Sequence, residues 1–264
     1  MKPSRTVRPG AFTGKMSPEV PEIMNRMDNH KEPGRMSGRE LKKWMRALLE
    51  SDADWPDIFG KIDEIRPRRT VNPLFACFYD KSSLIKWRAV AAMGHTVARL
   101  AETEMESARV VMRRLIWNLN DESGGIGWGS PEAMGEIMAQ SRPIANEYAP
   151  LLASYIQPNK NFLEHEGLQR GAIWAVGRLA DRRPEMMAGA EVFLEPFLDS
   201  TDPFHRGYAA WALGNLKSAR ALPAIEALQS DPAEIEIFLD MQLITTTVGR
   251  LAENAAAAIA NGER

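Results

Sequence analysis

Apolar residues recur at helical spacing from about residue 38 to the end of the chain, and no strand-like alternation of apolar and polar residues interrupts them. Helix-start signals accompany this periodicity at Ser37, at Ser130-Pro131-Glu132 and at Asp202-Pro203. The pattern predicts an all-α protein. Residues 1–36 contain five prolines and little apolar periodicity. They are predicted to form a flexible N-terminal arm before one repeat domain, residues 37–264.

A short motif recurs in the helical region, in which a glycine follows an apolar residue and precedes a polar one. Two clear copies are GAIWAVGRLAD at 171–181 and YAAWALGNLKSA at 208–219. The motif glycines are spaced 41, 42, 37 and 35 residues apart, and they are Gly94, Gly135, Gly177, Gly214 and Gly249. Glycine inside a helix costs about 1 kcal/mol relative to alanine. We therefore predict that close packing between neighbouring helices requires these glycines.

A second amphipathic segment follows each of the first four copies of the motif, and these segments cover residues 106–121, 146–157, 191–200 and 221–231. One further pair is predicted upstream, from WPDIFGKIDEI and VNPLFACFYDKSS. Helix pairs that repeat every 35–42 residues stack on one another and bury a continuous core. The sequence thus predicts a right-handed α-solenoid of about five to six helix pairs.

The pattern AAWALGNL followed by ALPAIEAL resembles HEAT-like repeats, in particular the short repeats of phycobilisome lyases. The resemblance covers about residues 54–264 and implies an armadillo-like superhelix. Proteins with this pattern include scaffolds, bilin lyases and a di-iron hydroxylase. The resemblance therefore implies a fold, and it leaves the chemistry open.

The segment DESGGIGWGSPEAMGE, residues 121–136, is the most unusual stretch of the chain. A phosphate site is disfavoured, because a helix precedes the loop and no lysine or arginine lies between Asp121 and Gln140. Within the repeat register, Glu136 is expected to be solvated. Trp128 lies seven residues before Gly135, as Trp87 lies seven before Gly94, so the two indoles are expected to have the same packing role in their repeats. Glu132 takes a half-buried position, where it either caps the helix or acts as a functional carboxylate.

The predicted binding surface combines this loop with the end of the preceding helix. The second helices of a solenoid usually face its concave groove, so the polar residues there are expected to form one patch. Aromatic residues and arginine are typical of the sites that dominate protein interfaces. The predicted site residues are Arg113, Trp117, Asn118, Asn120, Asp121, Glu122, Trp128, Glu132 and Glu136.

Composition narrows the function further. The net charge of −2 argues against a nucleic-acid-binding protein, and the lack of a long apolar run argues against a membrane protein. The single cysteine favours a cytoplasmic location. We predict a non-catalytic adaptor or scaffold that binds another protein and holds no cofactor or metal. The resemblance leaves open a tetrapyrrole- or cofactor-handling lyase or chaperone. A metal-dependent enzyme using Glu132, Asp121, Glu122 and a histidine also stays open, although only His165-Glu166 forms a His-Glu pair.

Overall fold

The computed structural model of the protein describes residues 33–120 and 127–261. Short 3-10 turns precede or join several helices. A single β-hairpin precedes the last helix of the described part. The elements are α1 (Gly38–Glu50), α2 (Trp55–Asp63), α3 (Pro67–Cys77), α4 (Ser83–Thr103), α5 (Met105–Leu119), α6 (Ser130–Gln140), α7 (Arg142–Ser154), α8 (Glu166–Arg182), α9 (Glu191–Leu194), α10 (Pro203–Asn215), α11 (Leu222–Ala227), β1 (Glu234–Leu239), β2 (Gln242–Thr247) and α12 (Val248–Ala260).

The helices form the predicted α-solenoid. Helices α4, α6, α8, α10 and α12 pack on one another in this order, and we call them, together with α2, the first helices. The second helices are α3, α5, α7 and the shorter α9 and α11, which follow the first helices in the chain. One apolar core runs through the stack. Helix α1 packs on α3 and α4 and covers one end.

Three of the motif glycines permit the close packing that the repeat predicts. A Cβ atom on Gly135 would lie 2.6 Å from the Cα of Ala175, and one on Gly214 would lie 2.7 Å from the Cα of Ala255. At Gly177 a Cβ atom would lie 2.6 Å from the Trp211 ring. These distances are too short for a side chain, so neighbouring first helices approach at these points as closely as their backbones allow.

The last copy of the motif was placed wrongly. Gly249 lies in the first turn of α12, where a Cβ atom would meet the carbonyl oxygen of Gln229 at 2.5 Å. The residue of α12 that faces Gly214 is Ala255. Ala255 therefore has the place in α12 that Ala175 has in α8. The part of α12 that is equivalent to the motif thus lies further along the chain than Gly249.

The prediction that no strand interrupts the helices was also wrong. Strands β1 and β2 pair in antiparallel fashion, and the stretch 244–253, assigned to a helix, contains four of the six residues of β2. The sequence EIEIFL of β1 alternates as a half-buried strand should, with Ile235 and Ile237 buried. The turn residues Asp240 and Met241 both have positive φ angles, 47° and 64°.

The hairpin crosses the face of the first helices. The indole N–H of Trp174 in α8 donates to the carbonyl of Phe238 at 3.0 Å, and the Phe238 ring stacks on Trp87 of α4 at 5.5 Å. At the tip, the indole N–H of Trp55 in α2 donates to the carbonyl of Met241 at 2.6 Å. The hairpin thus connects the last helix pair to the first one.

Candidate functional site

The structure divides the predicted site residues into two groups. Arg113, Trp117, Asn118 and Asn120 lie in the last turns of α5 or directly after it, whereas Trp128, Glu132 and Glu136 belong to α6 or its approach. The Trp117 side chain is 72% exposed, but Glu132 and Glu136 are buried, so these residues do not share one surface. The predicted residues Asp121 and Glu122 lie outside the described residues.

Glu132 is a buried partner in an ion pair. Its Oε1 atom lies 2.7 Å from the Nζ of Lys86 in α4, and its side chain is 4% exposed. A Cβ atom on Gly171 of α8 would lie 2.6 Å from Oε2 of Glu132, so a side chain there would displace this carboxylate. The carboxylate does not cap α6, because its hydrogen bond among the described residues comes from Lys86 and not from the backbone of that helix. The interpretation of Glu132 as a cap was therefore wrong.

Glu136 was expected to be solvated, and this prediction was wrong. Its side chain is 1% exposed and accepts hydrogen bonds from Arg178 Nε at 2.7 Å and Arg178 Nη2 at 3.1 Å. Gln140 donates a further hydrogen bond at 2.7 Å. Burial disfavours the charge of Arg178, but the hydrogen bond and charge of Glu136 outweigh it, and the pKa of Arg178 is raised. Helices α4 and α8 approach α6 closely enough to cover this polar position.

Trp128 packs against the start of the next first helix. Its indole ring lies edge-on to the His165 ring, with 5.1 Å between the ring centres. A Cβ atom on Gly167 would lie 2.4 Å from this indole. The ring is partly buried against the core, so it stabilises the contact between α6 and α8.

The open surface near the first group is a cleft of about 740 Å³ between α1, α3 and α5, which we call the basic cleft. Its lining comprises five cationic side chains, several apolar or aromatic ones, two asparagines and, among the described residues, no acidic side chain. The lining residues are Gly38, Arg39, Leu41, Lys42, Arg68, Arg69, Asn72, Pro73, Phe75, Ala76, Tyr79, Arg114 and Asn118.

Two cations of the basic cleft have fixed positions. The Arg114 guanidinium lies 4.0 Å from the centre of the Phe75 ring and donates to the side chain of Asn72. Arg69 donates to the backbone carbonyls of Gly34 and Met36, which attaches α3 to the start of α1. These contacts hold the two guanidinium groups in place without neutralising their charge.

The other cations differ in their pairing. Arg68 forms an ion pair with Glu104 and donates to Ser107, so its charge is partly compensated. Arg39 and Lys42 are exposed on α1, and in residues 33–120 and 127–261 no carboxylate pairs with either. The cleft therefore presents unbalanced positive charge to a ligand.

Most residues of the basic cleft were not predicted from the sequence. Only Asn118 was among the predicted site residues, and Trp117 is its exposed neighbour. A signal was present, because GRELKK at the start of α1 and RPRRT at the start of α3 are both basic. The two segments are separated in the chain, and only the packing of α1 on α3 brings them together.

Two kinds of reactive group, a metal site and a free thiol, can be assessed in the described residues. Within 33–120 and 127–261, no group of three His, Cys, Asp or Glu side chains could hold a metal ion. Burial raises the pKa of the Cys77 thiol to about 12, so Cys77 is a neutral core residue rather than a nucleophile. In the same residues, no helix has the length and apolar character needed to cross a membrane.

The comparisons with known proteins agree with the fold. Residues 166–216 match the family described as HEAT-like repeat. The structure is similar to a designed armadillo repeat protein, YIII(Dq.V1)4CPAF in complex with peptide (KR)4, with a TM-score of 0.51, 20% identity and coverage of 91% of this chain and 99% of that one. The chain therefore has the fold of a HEAT/armadillo-like repeat solenoid.

A second structure supports the same fold. An engineered protein of the Northeast Structural Genomics Consortium has a TM-score of 0.51 at 14% identity, and the alignment covers 93% of this chain and 100% of that chain. No curated protein matches the sequence. At these identities the two structures define the solenoid fold and nothing finer.

Proposed function

We propose that this repeat protein is a non-catalytic adaptor that binds an acidic, extended segment of another protein in the basic cleft. The observation that carries the proposal is the charge of the cleft, since five cations line it and no described carboxylate does, in a chain whose net charge is −2. Complementary charge attracts a partner and fixes its orientation.

The basic cleft has the groups that such a ligand needs. Arg39 and Lys42 can pair with carboxylates of the ligand, while the amides of Asn72 and Asn118 can bond to its backbone. Tyr79 at the cleft is 51% exposed, and an aromatic ring of this kind provides apolar contact area. Charged, polar and aromatic groups therefore line one cleft, whose volume of about 740 Å³ can hold a short peptide segment.

The designed armadillo repeat protein offers a useful contrast. That protein binds the peptide (KR)4, which is strongly basic. HEAT and armadillo repeats are typical of protein-binding scaffolds, and the basic cleft here favours a ligand of opposite sign. A cytoplasmic location is part of the same proposal, supported by the single, buried cysteine Cys77. The tetrapyrrole-handling alternative has only the sequence resemblance in its support.

The test measures fluorescence anisotropy of a labelled peptide of alternating aspartate and glutamate, at physiological salt. Replacing Lys42 with glutamate should weaken binding by about tenfold, which corresponds to about 1.4 kcal/mol. The matched control is Lys160→Glu, which makes the same change of charge at an exposed residue outside the basic cleft.

Two results would contradict the proposal. One is equal binding of the acidic peptide by the Lys42→Glu and Lys160→Glu variants, which would mean that general charge rather than the cleft attracts it. The other is tighter binding of single-stranded DNA of the same length, which would assign the cleft to nucleic acid.

A further inference from the structure

The two edges of the hairpin have different surroundings. On β1, the carbonyl of Glu236 accepts a hydrogen bond from the Tyr208 hydroxyl at 2.7 Å, and Phe238 accepts one from Trp174. These carbonyls therefore point away from β2 and toward the helices. In an antiparallel pair of strands, two directly opposite residues either both point their backbone N–H and C=O groups at the other strand or both point them away from it. Thr245 and Leu243, opposite Glu236 and Phe238, thus turn their N–H and C=O groups to the outer edge of β2.

This outer edge is unoccupied by the rest of the described chain. In the part of the chain that the structure describes, no hydrogen bond reaches the outward N–H or C=O groups of Leu243 and Thr245. Gln242, Ile244 and Thr245 are exposed. Natural edge strands are usually protected by charge, proline or a bulge, and the sequence QLITTT has no charge and no proline. The edge is therefore ready to pair with another strand.

The hairpin holds this edge in a fixed position. Trp55 binds the tip through the Met241 carbonyl, and at the base the N–H of Val248 donates to the carbonyl of Ala233 at 2.9 Å. A strand that is already ordered loses little conformational entropy when a partner adds to it. The edge of β2 is thus a preorganised template rather than a loose segment.

We infer that a second copy of this chain pairs with this edge, β2 against β2 in antiparallel orientation, to form a four-stranded sheet across a twofold axis. The strand is complementary to itself. In the register centred on Thr245, that residue faces Thr245 of the second copy, Ile244 faces Thr246, and Leu243 faces Thr247. Threonine and β-branched pairs stabilise neighbouring strands, and no like charges meet. A twofold contact uses the same patch on both copies.

The test is the molar mass measured by size-exclusion chromatography with light scattering over a range of concentrations. The wild-type chain should reach twice 29.5 kDa. Thr245→Lys and Thr245→Glu should each raise the dimer dissociation constant by at least about tenfold, because like charges would lie directly opposite. An equimolar mixture of the two variants should restore the dimer, since lysine then faces glutamate across the axis.

Two controls separate pairing from folding. Thr245→Val should keep the dimer, because the backbone of the edge is unchanged. Thr245→Pro should give a monomer with a normal circular dichroism spectrum, because it removes an outward N–H that the β1–β2 ladder does not use. A wild-type chain that is monomeric at every concentration would overturn the inference. A dimer that survives Thr245→Lys, Thr245→Glu and Thr245→Pro would overturn it too.

Discussion

Glu132 shows how a residue chosen for its possible chemistry can belong to the core. Its carboxylate is buried against Gly171 and pairs with Lys86. We predict that Glu132→Gln lowers the free energy of unfolding by about 2 kcal/mol, because a charge-assisted hydrogen bond is lost and Lys86 keeps a charge that is no longer balanced. Urea denaturation measures the change. Binding of the acidic peptide should stay as in the wild type.

The control for this substitution is Glu253→Gln. Glu253 pairs with Arg250 on the surface, where both side chains are about half exposed or more, at 48% and 66%. Exposed ion pairs contribute little, so this variant should unfold as the wild type does. If the Glu132→Gln variant were instead as stable as the wild type but no longer bound the acidic peptide, Glu132 would be a ligand-binding residue. The structural role proposed for it would then be wrong.

At the residue scale, the sequence indicates which positions are polar, but their partners come from other repeats. Lys86 is 46 residues from Glu132, and Arg178 is 42 residues from Glu136. These separations are close to the repeat period, because equivalent positions of neighbouring repeats lie side by side in a solenoid. Whether a polar residue is buried by the neighbouring helix depends on how each helix is rotated about its own axis. The repeat pattern in the sequence does not determine this rotation.

At the scale of elements, the motif glycines set the distance between first helices. We predict that Gly135→Ala lowers the free energy of unfolding by about 2 kcal/mol, because the added methyl group would meet the backbone of Ala175 and force α6 and α8 apart. Thermal unfolding followed by circular dichroism measures the loss.

The matched control is Gly60→Ala in α2. A Cβ atom at Gly60 has no neighbour within 4 Å, so this substitution should stabilise the protein by about 0.5 to 1 kcal/mol through helix propensity alone. Equal effects of the two alanine substitutions would mean that backbone entropy, and not close packing, explains the glycines.

The helix pairs could be predicted because the repeat period is strong, whereas the hairpin could not. The stretch ITTTVGRLAE fits the motif by its glycine, although Gly249 lies at a helix start. The turn offered no signal either, because Asp240 and Met241 adopt positive φ without the usual glycine. The short alternation in EIEIFL was overlooked, and residues 244–253 were assigned to a helix on the glycine motif.

At the scale of the whole molecule, the basic cleft arises from three separate segments. Arg39 and Lys42 come from α1, Arg68 and Arg69 from α3, and Arg114 from α5. The site was predicted at the next loop because the glycines there are unusual, and of its predicted residues only Asn118 lines the cleft. Surface charge varies freely on a solenoid, so its clustering follows from the assembled fold and not from the repeat pattern.

The hairpin also acts on the whole molecule, because it joins the last helix pair to the first through Trp55, which is 186 residues from Met241 in the chain. We predict that Trp55→Phe, which keeps an aromatic ring but removes the N–H donor, costs about 1 kcal/mol of unfolding free energy. Hydrogen exchange measured by mass spectrometry should accelerate in residues 234–247 more than in the core of α6 and α8, since the tip opens locally before the stack unfolds.

The control for the role of Trp55 is Trp117→Phe, because that indole is 72% exposed and a change there should leave both stability and exchange unaltered. A uniform acceleration along the chain after Trp55→Phe would show that the hairpin and the stack unfold as one unit. Exchange at wild-type rates would show that contacts such as the stacking of Phe238 on Trp87 hold the hairpin without the Trp55 bond. Selective acceleration alone supports a hairpin that fixes the ends of the solenoid relative to each other.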